Sequence, residues 1–288
     1  SQRVYGTVRE NQLGHGPCYL QTSGITSEQD RDLLKAYLNM APSQTLKWIE
    51  NGKMPSEQDV EIQGTEPYIV GGHTASGFWV DTKRETTIHG LYAAGDVAGG
   101  CPQKYVTGAL AEGKIASFAI IEQLKSDSDE TTSTIEKQAQ VILKDYEKIR
   151  STQNGLFTID DLEEAMQKVM DEYAGGIASN YQFNEKQLKL AEEKIARLSE
   201  LAEQIGAEDM HELLFAYELK ERLLVCQVLI EHLKNRKETR WHSFNENLDH
   251  PETDEKFEKY VNSRMEDGKL HILFRDLIKG DTYEHTNS

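Results

Sequence analysis

The sequence is poor in cysteine. Only three occur among 288 residues, Cys18, Cys101 and Cys226, and none belongs to a CxxC pair. So few and so widely spaced thiols exclude a zinc or iron–sulfur site built from this chain alone, and they are typical of a reduced, cytoplasmic protein. Histidines show no HExxH spacing either, so we expect no metal site. Any iron–sulfur centre that acts with this chain must lie in a partner.

Two further features are missing, a long apolar run and an excess of positive charge. No apolar segment approaches the roughly 18 residues of a membrane span, and no basic start leads into an apolar stretch. Lysine and arginine total 32 against 49 aspartates and glutamates, a formal charge of −17. We therefore expect neither a nucleic acid nor an anionic membrane as partner. The sequence begins at Ser1 and not at a methionine, which favours a fragment or a processed chain.

The first half of the sequence predicts mixed α/β structure. Residues 1–66 combine turn signals with one helical pattern over 27–50. Residues 67–125 contain strand-like segments and then a helical pattern from about 107 to 125. The strand-like segments are 67–70, 77–81 and 90–95.

The second half predicts helices. Residues 126–134 are too polar and acidic to be buried and indicate a surface linker. From residue 135 onward, apolar residues recur three or four positions apart, which is typical of a helical bundle. The stripe that continues from Leu213 includes Leu223, Leu224 and Val228, which we expect in the bundle core.

Local signals place some helix ends in this half and add a strand. Asp161 and Asn184 precede helix-forming text and are candidate N-caps, while Gly155 and Gly175–Gly176 mark breaks. Residues 269–274 alternate well enough for a short strand. The predicted fold is therefore an α/β (α+β) segment followed by an all-α helical bundle over 135–288 with a short C-terminal strand.

The most informative segment for function is 90–96, Gly-Leu-Tyr-Ala-Ala-Gly-Asp, followed by Gly99 and Gly100. A strand of small residues that ends in Gly-Asp before a glycine-rich loop allows close backbone approach to a ligand. Asp96 would accept hydrogen bonds from a polyol. The alternative is an ordinary turn in which Asp96 only caps the loop.

This segment resembles the second flavin-contacting segment of the succinate dehydrogenase and fumarate reductase flavoprotein superfamily. Other segments resemble family motifs in the same order, so the resemblance covers almost the whole chain. They are Gly14-His15-Gly16-Pro17, Val70-Gly71-Gly72, Ala111-Glu112-Gly113, Tyr173-Ala174-Gly175-Gly176 and Glu238-Thr239-Arg240-Trp241-His242.

Departures from the succinate and fumarate pattern point to another substrate. Pro67 stands where those enzymes carry a substrate-binding histidine, and residues 103–110 replace a segment that supplies their carboxylate-binding arginine. His73 after Gly71–Gly72, and Lys104 before Tyr-Val-Thr-Gly, are more similar to alpha subunits of dissimilatory adenylylsulfate reductase. That resemblance implies reversible reduction of adenylylsulfate to AMP and sulfite.

The resemblance also implies site residues. His73 would exchange a proton or bind an oxyanion, and Lys104 and Arg3 would help to hold an anionic substrate. The bland alternatives are a structural histidine, a solvated lysine and a frayed terminal arginine. The residues implied to contact FAD are Gly71, Gly72, Gly95, Asp96, Gly108, Ala109, Leu110 and Glu112.

The same resemblance assigns domains, a cofactor and a partner. Residues 1–66 would be the late capping domain, 67–125 the returning part of the FAD-binding domain and 135–288 the helical domain. Electrons would come from a ferredoxin-like iron–sulfur subunit. The family's N-terminal GxGxxG segment has no counterpart here, so this chain alone is expected to bind FAD weakly or not at all. Two alternatives stay open: a fumarate-reductase-like enzyme for another unsaturated acid, and a non-catalytic helical module.

Overall fold

A computed structural model describes residues 2–62, 77–99, 106–125, 132–152, 157–240 and 246–277. The chain forms two units, Ser1–Thr65 and Glu66–Ser288. The described elements are mainly helices, accompanied by small two-stranded sheets. The predicted fold class, mixed α/β structure followed by a helical bundle, is confirmed.

The described part of the first unit contains three helices and one small sheet. The helices are α1 (Gln2–Gln12), α2 (Ser27–Met40) and α3 (Pro42–Glu50), and the antiparallel strands are β1 (Cys18–Leu20) and β2 (Val60–Ile62). Trp48 is fully buried and donates through Nε1 to the Gln58 carbonyl oxygen at 3.2 Å. Buried Asp30 accepts from the Ser56 amide at 2.7 Å and from its hydroxyl at 2.6 Å. These bonds fix the loop before β2 against the helices.

The helix expected over 27–50 is two helices, so that prediction was wrong. Ala41 separates them with φ −149° and ψ 70°, and Pro42 is the first residue of α3. Proline has no amide hydrogen, and its ring disfavours a helical conformation in the residue before it. Pro42 was therefore the available signal for the break.

In the second unit, the strands expected over 77–81 and 90–95 are extended segments joined by single bridges. Phe78 pairs with Ala98, Val80 with Thr86, and Glu85 with Tyr92. A β-strand is stabilised by a partner strand that pairs along its whole length. Within residues 77–99 each extended segment pairs with another at a single bridge only. Residues 95–97 form a 3₁₀ turn, and α4 (Val106–Leu124) follows it. The expected strand at 67–70 lies outside the described residues.

The helical bundle is formed by four further helices. They are α5 (Thr132–Ser151), α6 (Ile159–Tyr173), α7 (Glu185–Ala202) and α8 (Met210–Asn235). Helix α5 begins within the expected linker 126–134. The core lies between facing apolar stripes of these helices and includes Leu162, Met166, Ile195, Leu198, Leu219, Leu223 and Ile230. No helix in the described ranges has the length and apolar character needed to span a membrane.

Helix α8 corrects one expected core position. Leu223 is 1% exposed, whereas Leu224 is 45% exposed, and Val228 is partly buried. Leu219, Leu223 and Ile230 are spaced by four and seven residues, so they lie along one face of the helix. One residue advances the helix by about 100°, which turns Leu224 away from that face. Assigning Leu224 to the core was wrong.

The helix ends confirm part of the expected capping. Asn184 is the N-cap of α7 and accepts from the Gln187 amide at 2.8 Å. The N-cap of α6 is Thr158 rather than Asp161; Asp161 occupies the third helical position and completes a capping box with Thr158. The break after α6 falls at Gly175, which has φ 81°. Gly155 lies outside the described residues.

A cluster of charged residues follows helix α8. The fully buried Glu238 carboxylate lies 3.0 Å from Arg236 Nε and 2.9 Å from Arg240 Nη2, and it also accepts from the Asp254 amide at 3.0 Å. Although burial raises it, these hydrogen bonds, led by the one from Arg240, hold the pKa of Glu238 below its usual value. The cluster ties residues 236–240 to the loop before the last strands.

The C-terminal strand expected over 269–274 is half of a hairpin. Strand β5 (Lys259–Glu266) pairs antiparallel with β6 (Lys269–Asp276) through a two-residue turn of Asp267 and Gly268. Both turn residues have positive φ, 49° and 72°, as a type I′ hairpin turn requires. A further pair, β3 (Gln182–Phe183) and β4 (Glu246–Asn247), runs parallel. Strand β5 was not predicted from the sequence, although Asp-Gly is a strong hairpin signal.

Candidate functional site

The turn at Gly95 and Asp96 is shaped by close contact with helix α4. Gly95 is buried, has φ +75°, and a Cβ added to it would lie 3.1 Å from the Ala109 Cβ. Its carbonyl oxygen accepts from the Ala98 amide at 3.0 Å. A side chain at position 95 would be strained and crowded. The turn leaves Asp96 exposed at its apex.

Glu112, on α4, fixes this turn from the inside. The residue is 5% exposed, and its Oε2 accepts a hydrogen bond from the Gly95 amide at 2.8 Å. Its Oε1 lies 3.5 Å from Arg84 Nη1, close enough for ion pairing. A hydrogen bond from a backbone amide to a carboxylate is charge-assisted and is therefore stronger than a hydrogen bond between neutral groups. Glu112 thus connects α4, the Gly95 turn and Arg84.

Arg84 is a residue of this site that was not predicted from the sequence. It has φ 72°, which is uncommon for a residue with a side chain, and its amide donates to the Asp81 carbonyl oxygen at 3.1 Å. Within the described ranges, Arg84 Nε and Glu112 Oε1 are buried without a hydrogen-bond partner. No sequence pattern marks Arg84, because its role depends on a tertiary contact with α4.

A second set of close backbone contacts joins residues 77–78 to residues 97–99. The Phe78 amide donates to the Val97 carbonyl oxygen at 2.8 Å, and the Gly99 amide donates to the Phe78 carbonyl oxygen at 2.8 Å. A Cβ on Gly77 would lie 2.6 Å from the Val97 oxygen. Only glycine permits this contact at position 77. Residues 77–78 therefore hold residues 97–99, which directly follow Asp96.

The structure brings together only part of the predicted site. Gly95, Asp96, Ala109 and Glu112 form one cluster, with Gly108 half-buried beside it on α4. Leu110 is 71% exposed, so its side chain is turned outward.

The other predicted site residues are not described at the side-chain level. His73, Lys104, Gly71 and Gly72 lie outside the described residues, as do Cys101 and Pro67. Arg3 lies within α1, in the first unit.

The cluster fits one portion of a large polyhydroxylated cofactor such as FAD. The exposed residue Asp96 stands on a turn whose backbone is fixed by Glu112 and by Phe78, and a carboxylate is a side chain that accepts hydrogen bonds from hydroxyl groups. Glycines at 95 and 99 keep side chains away from the backbone at this point. Among the described residues, no group of three His, Cys, Asp or Glu side chains is placed to hold a metal ion.

Comparison with known proteins gives consistent matches. Residues 163–284 match a family model described as the fumarate reductase flavoprotein C-terminal domain. The adenylylsulfate reductase subunit alpha of Megalodesulfovibrio gigas is 28% identical over 313 residues, which covers 93% of this chain and 47% of that relative. The chain therefore spans about half the length of the curated relatives it matches.

Solved structures agree with this. Adenylylsulfate reductase from Archaeoglobus fulgidus superimposes with a TM-score of 0.84 at 28% identity, over 98% of this chain and 51% of that one. Quinol fumarate reductase from E. coli shares the fold with a TM-score of 0.76 at 20% identity, over 94% and 47% of the two chains. Residues 163–284 therefore match the C-terminal domain of the fumarate reductase flavoprotein family, and the chain is similar along almost its whole length to adenylylsulfate reductase alpha subunits.

Proposed function

We propose that this chain is the C-terminal part of an FAD-dependent subunit that interconverts adenylylsulfate with AMP and sulfite. Two electrons are consumed for each adenylylsulfate reduced, and a separate iron–sulfur subunit supplies them. Similarity to adenylylsulfate reductase alpha subunits along almost the whole chain supports this substrate. The observation that carries the cofactor assignment is the Asp96 turn, held by the buried Glu112 carboxylate.

In this proposal Asp96 and Glu112 help to bind and orient FAD, which would serve as the two-electron carrier. Asp96 accepts hydrogen bonds from ribityl hydroxyls, and Glu112 keeps the Asp96 turn in place through the Gly95 amide. Gly71, Gly72, Gly108, Ala109 and Leu110 complete the cofactor-binding set. Residues 1–66 belong to the capping domain, 67–125 to the FAD-binding domain and 135–288 to the helical domain.

The substrate side of the site is assigned to His73, Lys104 and Arg3. Lys104 and Arg3 offset the charge of the phosphosulfate group, and electrostatic stabilisation of this kind is a large catalytic factor. His73 exchanges a proton and donates a hydrogen bond to a sulfite or phosphosulfate oxygen near neutral pH.

The second candidate is a fumarate-reductase-like enzyme for another unsaturated acid. Its support is the family model for residues 163–284 and the shared fold with quinol fumarate reductase. The residue pattern favours the first candidate, since Pro67 replaces the substrate-binding histidine of the fumarate enzymes. A third candidate is a non-catalytic helical module with a degenerate flavin segment.

One experiment separates the three candidates. A subunit of full family length that contains this chain is purified and its visible absorbance recorded, then assayed for adenylylsulfate formation from AMP and sulfite with an artificial electron acceptor. We expect a yellow protein that forms adenylylsulfate. Fumarate reduction without adenylylsulfate formation supports the second candidate, and a colourless protein supports the third.

A further inference from the structure

The guanidinium of Arg275 is stacked between two aromatic side chains. Its Cζ lies 3.6 Å from the centroid of the Trp79 ring and 5.0 Å from that of Tyr260. Its Nε donates to Asn262 Oδ1 at 2.7 Å, which fixes the plane of the group. A planar cation on aromatic faces is attracted by the ring electrons, and lysine cannot reproduce this stacking. Arg275 therefore joins β6 to the segment that carries Trp79.

The hairpin that presents Arg275 is itself held by the helical bundle. Tyr260 of β5 stands opposite Arg275 of β6. Ser263 Oγ lies 2.9 Å from His232 Nε2 near the end of α8, and Arg236 Nη2 donates to the Phe257 carbonyl oxygen at 2.7 Å. The hairpin is thus a fixed support.

The segment held by this stack has little burial of its own. Trp79 is 41% exposed and Phe78 is 59% exposed. Residues 77–80 form single bridges instead of a continuous ladder. A segment of this kind depends on contacts from outside, because few buried apolar groups stabilise it.

The same segment borders the Asp96 turn. Phe78, next to Trp79, exchanges backbone hydrogen bonds with Val97 and Gly99, both at 2.8 Å. Gly77 and Gly99 pack closely against the backbone of this segment, so a displacement of Trp79 is passed through Phe78 to residues 97–99, which follow Asp96.

We propose that Arg275 is a positioning residue for the FAD site, which it serves by holding Trp79 and, through Phe78, the backbone that carries Asp96. The inference rests on the proposed flavin function. It gives the C-terminal hairpin a role in cofactor binding although the hairpin lies far along the chain from the flavin motif.

The test uses the flavin-loaded subunit of full family length. Arg275→Ala removes the stack, and Trp79→Leu removes it from the other side while keeping an apolar side chain. Arg264→Ala is the matched control, because this arginine is on the same hairpin, is 59% exposed and pairs with Glu266 of its own strand. The measurements are the FAD dissociation constant, the visible circular dichroism of bound flavin and the thermal unfolding midpoint.

We expect Arg275→Ala to weaken FAD binding roughly 5- to 30-fold, the range of a partly desolvated cation–π contact. The visible circular dichroism of the bound flavin should change as well. Arg275→Lys should restore little of the lost FAD affinity. The Trp79→Leu/Arg275→Ala double variant should bind FAD no more weakly than the weaker of the two single variants. Arg264→Ala should match the wild type.

A lower unfolding midpoint with unchanged FAD affinity and unchanged dichroism in both single variants overturns the proposal, since a merely structural contact behaves in that way. Should Arg275→Ala not fold, Trp79→Leu decides by the same criteria. Absence of FAD from the wild-type subunit contradicts the proposed function instead, so the two failures are distinguishable.

Discussion

At the scale of single residues, Asp96 carries the cofactor proposal. Asp96→Ala removes a charge-assisted hydrogen bond worth about 1.5–3 kcal/mol, so FAD affinity in the full-length subunit should fall roughly 10- to 150-fold. Titration of FAD into the folded apoprotein measures this. Asp32→Ala, at an exposed position on α2, is the control. Unchanged affinity in Asp96→Ala would refute the assignment.

Glu112 tests how the turn is held. Glu112→Ala leaves the buried Gly95 amide without its acceptor and the Arg84 guanidinium without its paired carboxylate, and the loss should cost about 1.5–3 kcal/mol of unfolding free energy. Glu112→Gln keeps an oxygen for the amide and should cost less. Denaturant unfolding of the three proteins checks the order, and equal stability of the alanine variant would contradict it.

His73 decides the substrate. Its replacement by alanine should slow adenylylsulfate turnover about 100-fold or more, the lower end for general acid–base catalysis, while FAD stays bound. Steady-state assays of the flavin-loaded variant measure this effect. Wild-type turnover would leave His73 a structural histidine and remove the main residue that distinguishes this substrate from fumarate.

At the scale of elements, α8 offers a paired test of the bundle core. Leu223→Ala should cost about 2–5 kcal/mol, because the side chain is 1% exposed, whereas Leu224→Ala should stay within about 0.5 kcal/mol. The two variants differ by one position in the helix, so propensity is matched. Similar costs by denaturant unfolding would mean that the core does not lie on the Leu223 face.

The Glu238 cluster makes stability depend on pH. Because its folded pKa is held below the ordinary 4.5, ionised Glu238 stabilises the fold above that pH, and this contribution is lost as pH falls through the folded pKa. Glu238→Gln should therefore be less stable than the wild type at neutral pH, and the gap should narrow below about pH 4.5. Thermal melts across this range measure the gap; a constant gap would contradict the linkage.

These elements also show what the sequence predicts and what it does not. The periodic apolar residues predicted the bundle, Asn184 predicted the N-terminus of α7, and Gly95–Asp96 predicted the turn. Each of these signals is local in the sequence. Leu224 was misassigned because two adjacent leucines fit one stripe equally well until the partner helices are known. Arg84 and Arg275 carry no local signal at all, since each acts only through a tertiary contact with α4 or Trp79.

At the scale of the whole molecule, the chain spans about half of its relatives' length. We therefore expect it to retain FAD less well than a subunit of full family length. Gel filtration of this chain with excess FAD should leave the protein peak colourless, whereas the subunit of full family length should elute yellow. Absorbance of the two peaks is the measurement. Stoichiometric FAD on this chain alone would show that the Asp96 cluster binds without the remainder of the site.

The tryptophans divide between the two units in a way that makes each unit visible to fluorescence. Trp48 is fully enclosed in the first unit, whereas Trp79 in the second is partly open to water and lies against the Arg275 cation. An aqueous quencher such as iodide should therefore reach Trp79 and spare Trp48 while the fold is intact. With Trp241 replaced by phenylalanine, the two emissions would report separately on whether the units melt together.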